Sequence, residues 1–155
     1  MAKYANCLEQ NGDRMVTAKK RKRKTGLNSK AKKKEAVARA VIKKGTGKIK
    51  VNKRDLTLFE PKYLQEFIRE PLNILPEKAK EVDITVNVKG GGFMGQASAI
   101  RSAMAKSLAL YSKDEKARQA LLAYDRLLLV DDVRRVESKK PLGTKARKKK
   151  QKSKR

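Results

Sequence analysis

The chain has 155 residues, with 42 Lys and Arg against 16 Asp and Glu and no histidine. A formal net charge of +26 on so short a chain repels itself unless polyanions neutralise it. Without histidine the commonest general base and metal ligand is missing, and the single cysteine, Cys7, permits neither a Cys/His zinc site nor an internal disulfide. The length suits one domain with tails. The longest apolar run, Ala120–Tyr124, falls far short of the roughly 20 residues that span a bilayer. Cys7 fits a reducing cytosol, and nothing near the N-terminus has the charged-then-apolar form of a secretory signal. The expectation is a cytoplasmic polyanion binder, nucleic acid being the favoured anion, with no cofactor, membrane or small-molecule substrate.

Charge is concentrated at the ends. Residues 1–34 carry twelve basic and two acidic side chains, residues 134–155 twelve and one, and residues 35–133 eighteen and thirteen. This divides the chain into a basic N-terminal extension (1–34), disordered when free, a globular domain (35–133) and a basic tail (134–155). Within the first segment Met1–Arg14 is net neutral, and the shift at Met15 makes that methionine a candidate translation start, with 1–14 a start-site artefact. The runs Lys19–Lys24 and Lys145–Arg155 show apolar spacing of neither 2.0 nor 3.6, so neither can offset its ordering entropy by burying a face. Phosphate can order such arms.

The domain opens with a hairpin signal over Glu35–Asn52: Ala36–Lys44 as one strand, Gly45-Thr46-Gly47 as the turn, and Lys48–Val51 as the other strand. Alternation puts Ile49 and Val51 on one face and Lys48 and Lys50 on the other, as a solvated surface or as part of a basic footprint. A helix follows Pro61, with Tyr63, Leu64, Phe67 and Ile68 at helical spacing, and Pro71 and Pro76 are expected to end it. Val82, Ile84, Val86 and Val88 alternate with polar residues, the clearest strand in the chain. An Ala-rich helix then runs to about Tyr111, its buried stripe being Ile100, Met104, Leu108 and Tyr111. Ser112–Glu115 has capping-box spacing ahead of another helix with Ala117, Leu121 and Tyr124 inward. Leu127–Val130 reads as a buried edge or turn. The sum is an α/β (α+β) two-layer domain, a mixed sheet backed by helices.

Between that strand and the Ala-rich helix lies Gly90-Gly91-Gly92-Phe93-Met94-Gly95, formally a dinucleotide fingerprint. Three readings stand: a tight strand–helix joint, a backbone cradle for an RNA phosphate, and an enzyme's dinucleotide site. The enzyme reading lacks a second βαβ half, since Asp114 and Glu115 fall at a helix start, and no Gly-Lys-Ser/Thr supplies a Walker loop. Asp131 and Asp132 have no base or nucleophile nearby and read as a turn or as counter-charges for Arg134 and Arg135. Seven aromatic residues carry neither an RRM signature nor a KH pattern, so phosphate contact should outweigh base stacking.

Several blocks resemble one family. Lys32–Ala40, Glu70-Pro71-Leu72, Gly90–Ala97 with Ala99-Ile100-Arg101, Tyr124-Asp125-Arg126, Lys139-Lys140-Pro141 and the ending Gln151–Arg155 are similar, in order, to the universal small-subunit ribosomal protein nine family. The resemblance runs from about residue 30 to the C-terminus. Gly-Phe-Met and Gln-Lys-Ser look archaeal, a final Ser-Lys-Arg looks bacterial, and Met1–Ser29 exceeds the family's short start. The resemblance implies a non-catalytic constituent of the small ribosomal subunit, with an α/β domain containing a left-handed βαβ crossover. It would sit on rRNA in the subunit head, beside neighbouring ribosomal proteins. Its tail would reach peptidyl-site tRNA through Ser153, Lys154 and Arg155. The implied rRNA contacts are Arg39, Lys43, Lys48 and Lys50 on the hairpin, then Arg134, Arg135, Lys139, Lys140, Lys145, Arg147, Lys148, Lys149, Lys150 and Lys152. Gly90, Gly91, Gly92 and Gly95 would form a rigid joint or phosphate cradle. A free nucleic-acid binder or RNA chaperone would share the charge and the tails, but not the ordered motifs.

Overall fold

The computed structural model describes residues 26–148. Cys7, the Met15 junction, the run Lys19–Lys24 and residues 149–155 lie outside them. The elements in chain order are β1 (Leu27–Lys33), β2 (Ala36–Lys44), β3 (Ile49–Val51), β4 (Arg54–Asp55), α1 (Lys62–Ile74), α2 (Pro76–Lys80), β5 (Val82–Lys89), α3 (Phe93–Ser112) and α4 (Glu115–Tyr124). Short 3-10 turns occupy Leu56–Leu58 and Arg126–Leu128. One mixed sheet has the order β1-β2-β5-β3-β4, antiparallel except for the parallel pair β3/β5. The route from β3 to its parallel neighbour runs through β4, α1 and α2, which makes it a βαβ crossover.

β5 takes the centre because it carries the longest bulky alternation. Val82, Ile84, Val86 and Val88 are all buried, and the strand pairs along both edges. Its position corrects the expected hairpin of Ala36–Lys44 with Lys48–Val51, because those strands are not neighbours: β5 lies between them. The Gly45–Lys48 connection wraps the start of β5 instead. Gly45 N–H donates to the Glu81 carbonyl at 2.8 Å, and the Asp83 carboxylate accepts the Thr46 and Lys48 N–H groups at 2.8 and 2.9 Å. Those donors hold the Asp83 carboxyl below the usual range.

Two hairpins form elsewhere. Asn52 and Lys53 both sit at positive φ between β3 and β4, the geometry of a two-residue type I′ turn, which asparagine tolerates well. Asn52 Oδ1 also accepts the Val88 N–H at 2.9 Å, tying that turn to β5. The second hairpin joins β1 to β2 through Lys34 and Glu35, so ordered structure starts ahead of the boundary drawn at residue 35. β1 buries only Ser29 and Ala31, and the Ser29 hydroxyl donates to the Ala103 carbonyl at 2.8 Å.

α3 packs across β1, β2 and β5, and α1 packs on α3. Alanines line that seam on both sides (Ala31, Ala36, Ala38 and Ala40 against Ala97, Ala99 and Ala103), which lets the helix lie close to the strands. The expected stripe of α3 is in place, with Ile100, Met104 and Leu108 fully buried and Tyr111 packed at its end. Pro71 does not stop α1, which continues to Ile74. The proline forfeits one backbone bond, but its ring is buried and Leu72 and Leu75 pack on the core, so tertiary contacts hold the last turn. The capping box at Ser112 does not form either: Ser112 ends α3, Lys113 takes the left-handed C-cap, and Asp114 is the N-cap of α4. Ala117 and Leu121 face inward as expected, whereas Tyr124 is exposed. Among the described residues no helix is long and apolar enough to cross a membrane.

Candidate nucleic-acid interface

All helix packing falls on one side of the sheet. On the other side the registers align polar side chains in rows. Lys32, Val37 and Lys89 form one row; Lys30, Arg39 and Asn87 a second; Asn28, Val41, Thr85, Lys50 and Asp55 a third; and Lys43 and Asp83 close the end beside Lys48. Strands lie about 5 Å apart, so Lys30 and Arg39 are direct neighbours, whereas Lys32 and Lys89 are about 10 Å apart across Val37. Among the described residues of the five strands and the turn before β3, this face carries seven cations (Lys30, Lys32, Arg39, Lys43, Lys48, Lys50 and Lys89) against Asp55 and Asp83. No aromatic residue lies on any of the five strands, so the face offers charge and hydrogen bonds but no stacking platform.

The structure thus gathers the four sequence-derived residues Arg39, Lys43, Lys48 and Lys50 onto one surface. It adds Lys30, Lys32 and Lys89, which sequence reading missed. The signal for the first two was present: Ser29 and Ala31 alternate with Asn28, Lys30 and Lys32 at period two, but small inward residues give no apolar contrast.

The glycine loop links β5 directly to α3. Gly90 and Gly91 have φ of 78° and 67°, and a Cβ on Gly90 would lie 2.7 Å from the Glu35 carbonyl oxygen. On Gly91 it would lie 3.0 Å from the Ala36 nitrogen, so both glycines let the loop press against the β1–β2 turn. Gly92, the N-cap of α3, and Gly95 are open by comparison. Among the described residues no strand follows α3, so the dinucleotide reading lacks its second parallel strand. Gly90→Ala is expected to lower stability by about 2 kcal/mol through the combined left-handed strain and carbonyl clash, read as a lower urea midpoint.

After Leu128 the chain runs without a regular element to residue 148. Asp132 is buried and pairs with Lys33 of β1, and its carboxylate accepts Arg134 Nη2 at 2.7 Å and Arg134 Nε at 3.0 Å. Arg134 and Lys33 together hold that carboxyl far below the usual range, while Asp132 raises the Arg134 guanidinium. The expected role of Asp132 as counter-charge for Arg134 therefore holds; Arg135 instead donates to the Asp132 and Arg134 carbonyls. Lys140 and Arg147 both pair with Glu137, at 3.6 and 2.8 Å, and Lys139, Lys145 and Lys148 are exposed. Lys149, Lys150, Lys152, Ser153, Lys154 and Arg155 lie outside the described residues.

Arg101, the cation of the Ala99-Ile100-Arg101 block, turns away from solvent. Its Nε lies 2.5 Å from Glu70 Oε2 of α1, its Nη1 donates to Asp125 Oδ2 at 3.0 Å, and its guanidinium stacks over Phe67 at 4.6 Å. A groove of about 820 Å³ between α2 and the start of α4 opens on the helical side. Its rim balances Glu77, Asp114 and Glu115 against Lys78, Lys113 and Lys116, so it has no net charge with which to recruit a polyanion.

Fold and charge together define a class: a small α+β module, helices on one face of its sheet and cations on the other, with basic arms, suited to lying along nucleic-acid phosphates. Comparison with known proteins carries this further. A family model described as ribosomal protein S9/S16 matches residues 31–155. "Small ribosomal subunit protein uS9" of Picrophilus torridus is 50% identical over 122 residues, covering 79% of this chain and 92% of the relative. The protein of the same description from Thermoplasma volcanium is 47% identical over the same shares, and that of Methanococcus maripaludis 41% identical over 71% of this chain and 82% of its own length. The chain belongs to the ribosomal protein S9/S16 family. It is a ribosomal protein that acts in translation, and not an enzyme.

Proposed function

We propose that the protein is a cytoplasmic, ribosome-bound constituent of the small subunit that binds rRNA through its open sheet face and arms. The observation that carries this reading is the open face, where seven cations lie uncovered by the protein's own helices and without a stacking aromatic. Such a surface rewards the shape of a folded phosphate backbone more than a base sequence. Arg39, Lys43, Lys48 and Lys50 contact rRNA there. Arg135, Lys139, Lys140, Lys145 and Arg147, followed by Lys148, Lys149, Lys150 and Lys152, take phosphates along the arm. Arg134 does so with the part of its guanidinium that Asp132 leaves free. Neighbouring proteins of the subunit head meet the remaining surface. Ser153, Lys154 and Arg155 reach the tRNA in the peptidyl site, a role supported by the resemblance of the ending Gln151–Arg155 to the family. Arg155 suits it, because a guanidinium grips phosphate with two parallel bonds.

Sedimentation of native small subunits through a high-salt gradient tests the rRNA part. Retention at one copy per particle supports shape-specific packing, while release as salt rises favours a free nucleic-acid binder. For the arm, subunits lacking Lys152–Arg155 should assemble normally yet hold peptidyl-site tRNA roughly tenfold more weakly, as expected for two or three lost phosphate contacts. Unchanged tRNA affinity in a filter-binding titration would remove the arm's assigned role.

A further inference from the structure

We infer that Asp131 and Asp132 form a lock that fixes the direction in which the C-terminal arm leaves the domain. The last regular turn is pinned by the fully buried Leu128 and by the Ser102 hydroxyl, which donates to the Leu127 carbonyl at 2.9 Å. A few residues on, the chain meets the free edge of β1. Asp131 Oδ1 accepts Lys106 Nζ of α3 at 2.6 Å and the Lys32 backbone N–H at 3.4 Å, and Lys106 Nζ also donates to the Lys30 carbonyl at 3.3 Å. Asp132 pairs with Lys33 at the end of the same strand. It also accepts the Arg134 backbone N–H at 2.8 Å, and Arg135 closes the turn on the Asp132 carbonyl at 2.9 Å. Two adjacent carboxylates thus bind the root of the arm to β1 and α3 at once.

For a surface whose task is to hold phosphate, this arrangement is costly. It places two negative charges beside the arm and withdraws Lys33, Lys106 and part of Arg134 from the nucleic acid. What it supplies in return is geometry. A change of direction at the root displaces every residue beyond it, by an amount that grows with distance along the arm. A narrow exit cone concentrates the tip where a target lies, in the way that a well-matched linker raises effective concentration. The value of aiming the arm rests on its proposed reach to tRNA, whereas the lock itself is testable without RNA.

The test uses the full chain, with Cys7→Ser removing the native thiol and nitroxide labels placed at Gln119→Cys on α4 and Ser138→Cys on the arm. Pulsed dipolar spectroscopy of this parent should give one narrow distance distribution. Lys33→Gln and Asp132→Asn should each make it roughly twofold broader by freeing backbone torsions at the root. Their melting temperatures should fall by only a few degrees, since the lock lies beyond the last core anchor and the core is kept; Asp55→Asn, on the far edge strand, should change neither width nor melting temperature. Equal widths in parent and variants overturn the proposal, as does a parent distribution already as broad as theirs. If Asp132→Asn fails to fold, Lys33→Gln combined with Asp131→Asn carries the test, since it leaves the Asp132–Arg134 pair intact. In reconstituted subunits Lys33→Gln should weaken tRNA retention in the same direction as loss of Lys152–Arg155. Subunits indifferent to that deletion would remove the tRNA reading and leave the lock to the distance widths.

Discussion

Replacing Arg101 with alanine should lower the unfolding free energy by about 3 kcal/mol, although it belongs to a chain with cations to spare. The guanidinium is nearly buried, 12% exposed, and among the described residues it alone pairs with Glu70 and Asp125, which come from the far part of α1 and the end of α4. Removing it leaves two carboxylates facing each other across a half-dry gap and takes a cation from the face of Phe67. Breaking a fully buried pair costs about 3–5 kcal/mol, and the remaining exposure of the two acids, close to a quarter each, places the expectation at the lower end. For a domain of this size that corresponds to a melting temperature lower by about 10 °C. Glu70→Gln alone should cost about 1 kcal/mol, because Asp125 keeps its partner. Combining it with Arg101→Ala should cost less than the sum, since the second change removes one of the orphaned charges. Urea denaturation of the four proteins closes this cycle. A loss below about 1 kcal/mol for Arg101→Ala would make it an ordinary surface cation. The salt dependence of RNA binding by the folded variant should match the parent's, which separates a clasp from a phosphate contact.

Arg101 also shows where reading the chain stops. Its partners lie 31 and 24 residues away, and no local pattern connects an arginine to carboxylates at those distances; only the packing of α1 and α4 on α3 does. β5 and α3 were legible because their periodicities are written in bulky side chains, valine and isoleucine at period two, then isoleucine, methionine and leucine at helical spacing. β1 was not, because its inward residues are a serine and an alanine and its place in the sheet is held by backbone pairing to β2. The misplaced hairpin has a similar origin. Gly45-Thr46-Gly47 is a sound turn, but what each strand pairs with is decided by a competitor 30 residues on, and β5 outbids β3 with more apolar surface. For the interface, alternation correctly put Lys48 and Lys50 on one face. That Arg39, Lys43 and Lys89 share it depends on the registers of β2 and β5, which are tertiary facts.

Those registers make the open face testable as a unit. Changing Lys30, Arg39, Lys43 and Lys50 together to threonine, which keeps strand propensity, should lower affinity for small-subunit rRNA by on the order of 10²–10³-fold at physiological salt. The size follows from counterion release. If each side chain meets one phosphate, its loss takes about 0.7–0.9 from the slope of log affinity against log salt, so four should flatten that slope by about 3. Stability should hardly move, because all four side chains point to solvent and make no recorded ion pair or side-chain hydrogen bond among the described residues. Net charge falls by four, so a matched control is needed: Lys62, Lys80, Lys116 and Arg118, exposed on the helical side, changed to glutamine. If binding reads only the total charge, both variants lose affinity equally. If it reads the open face, the control keeps nearly the parent's slope, because cations around the helices do not lie in register with the phosphates that the sheet engages. Slopes equal to the parent's for both variants would assign the RNA contact to the arms alone and leave the sheet face as a solvated surface.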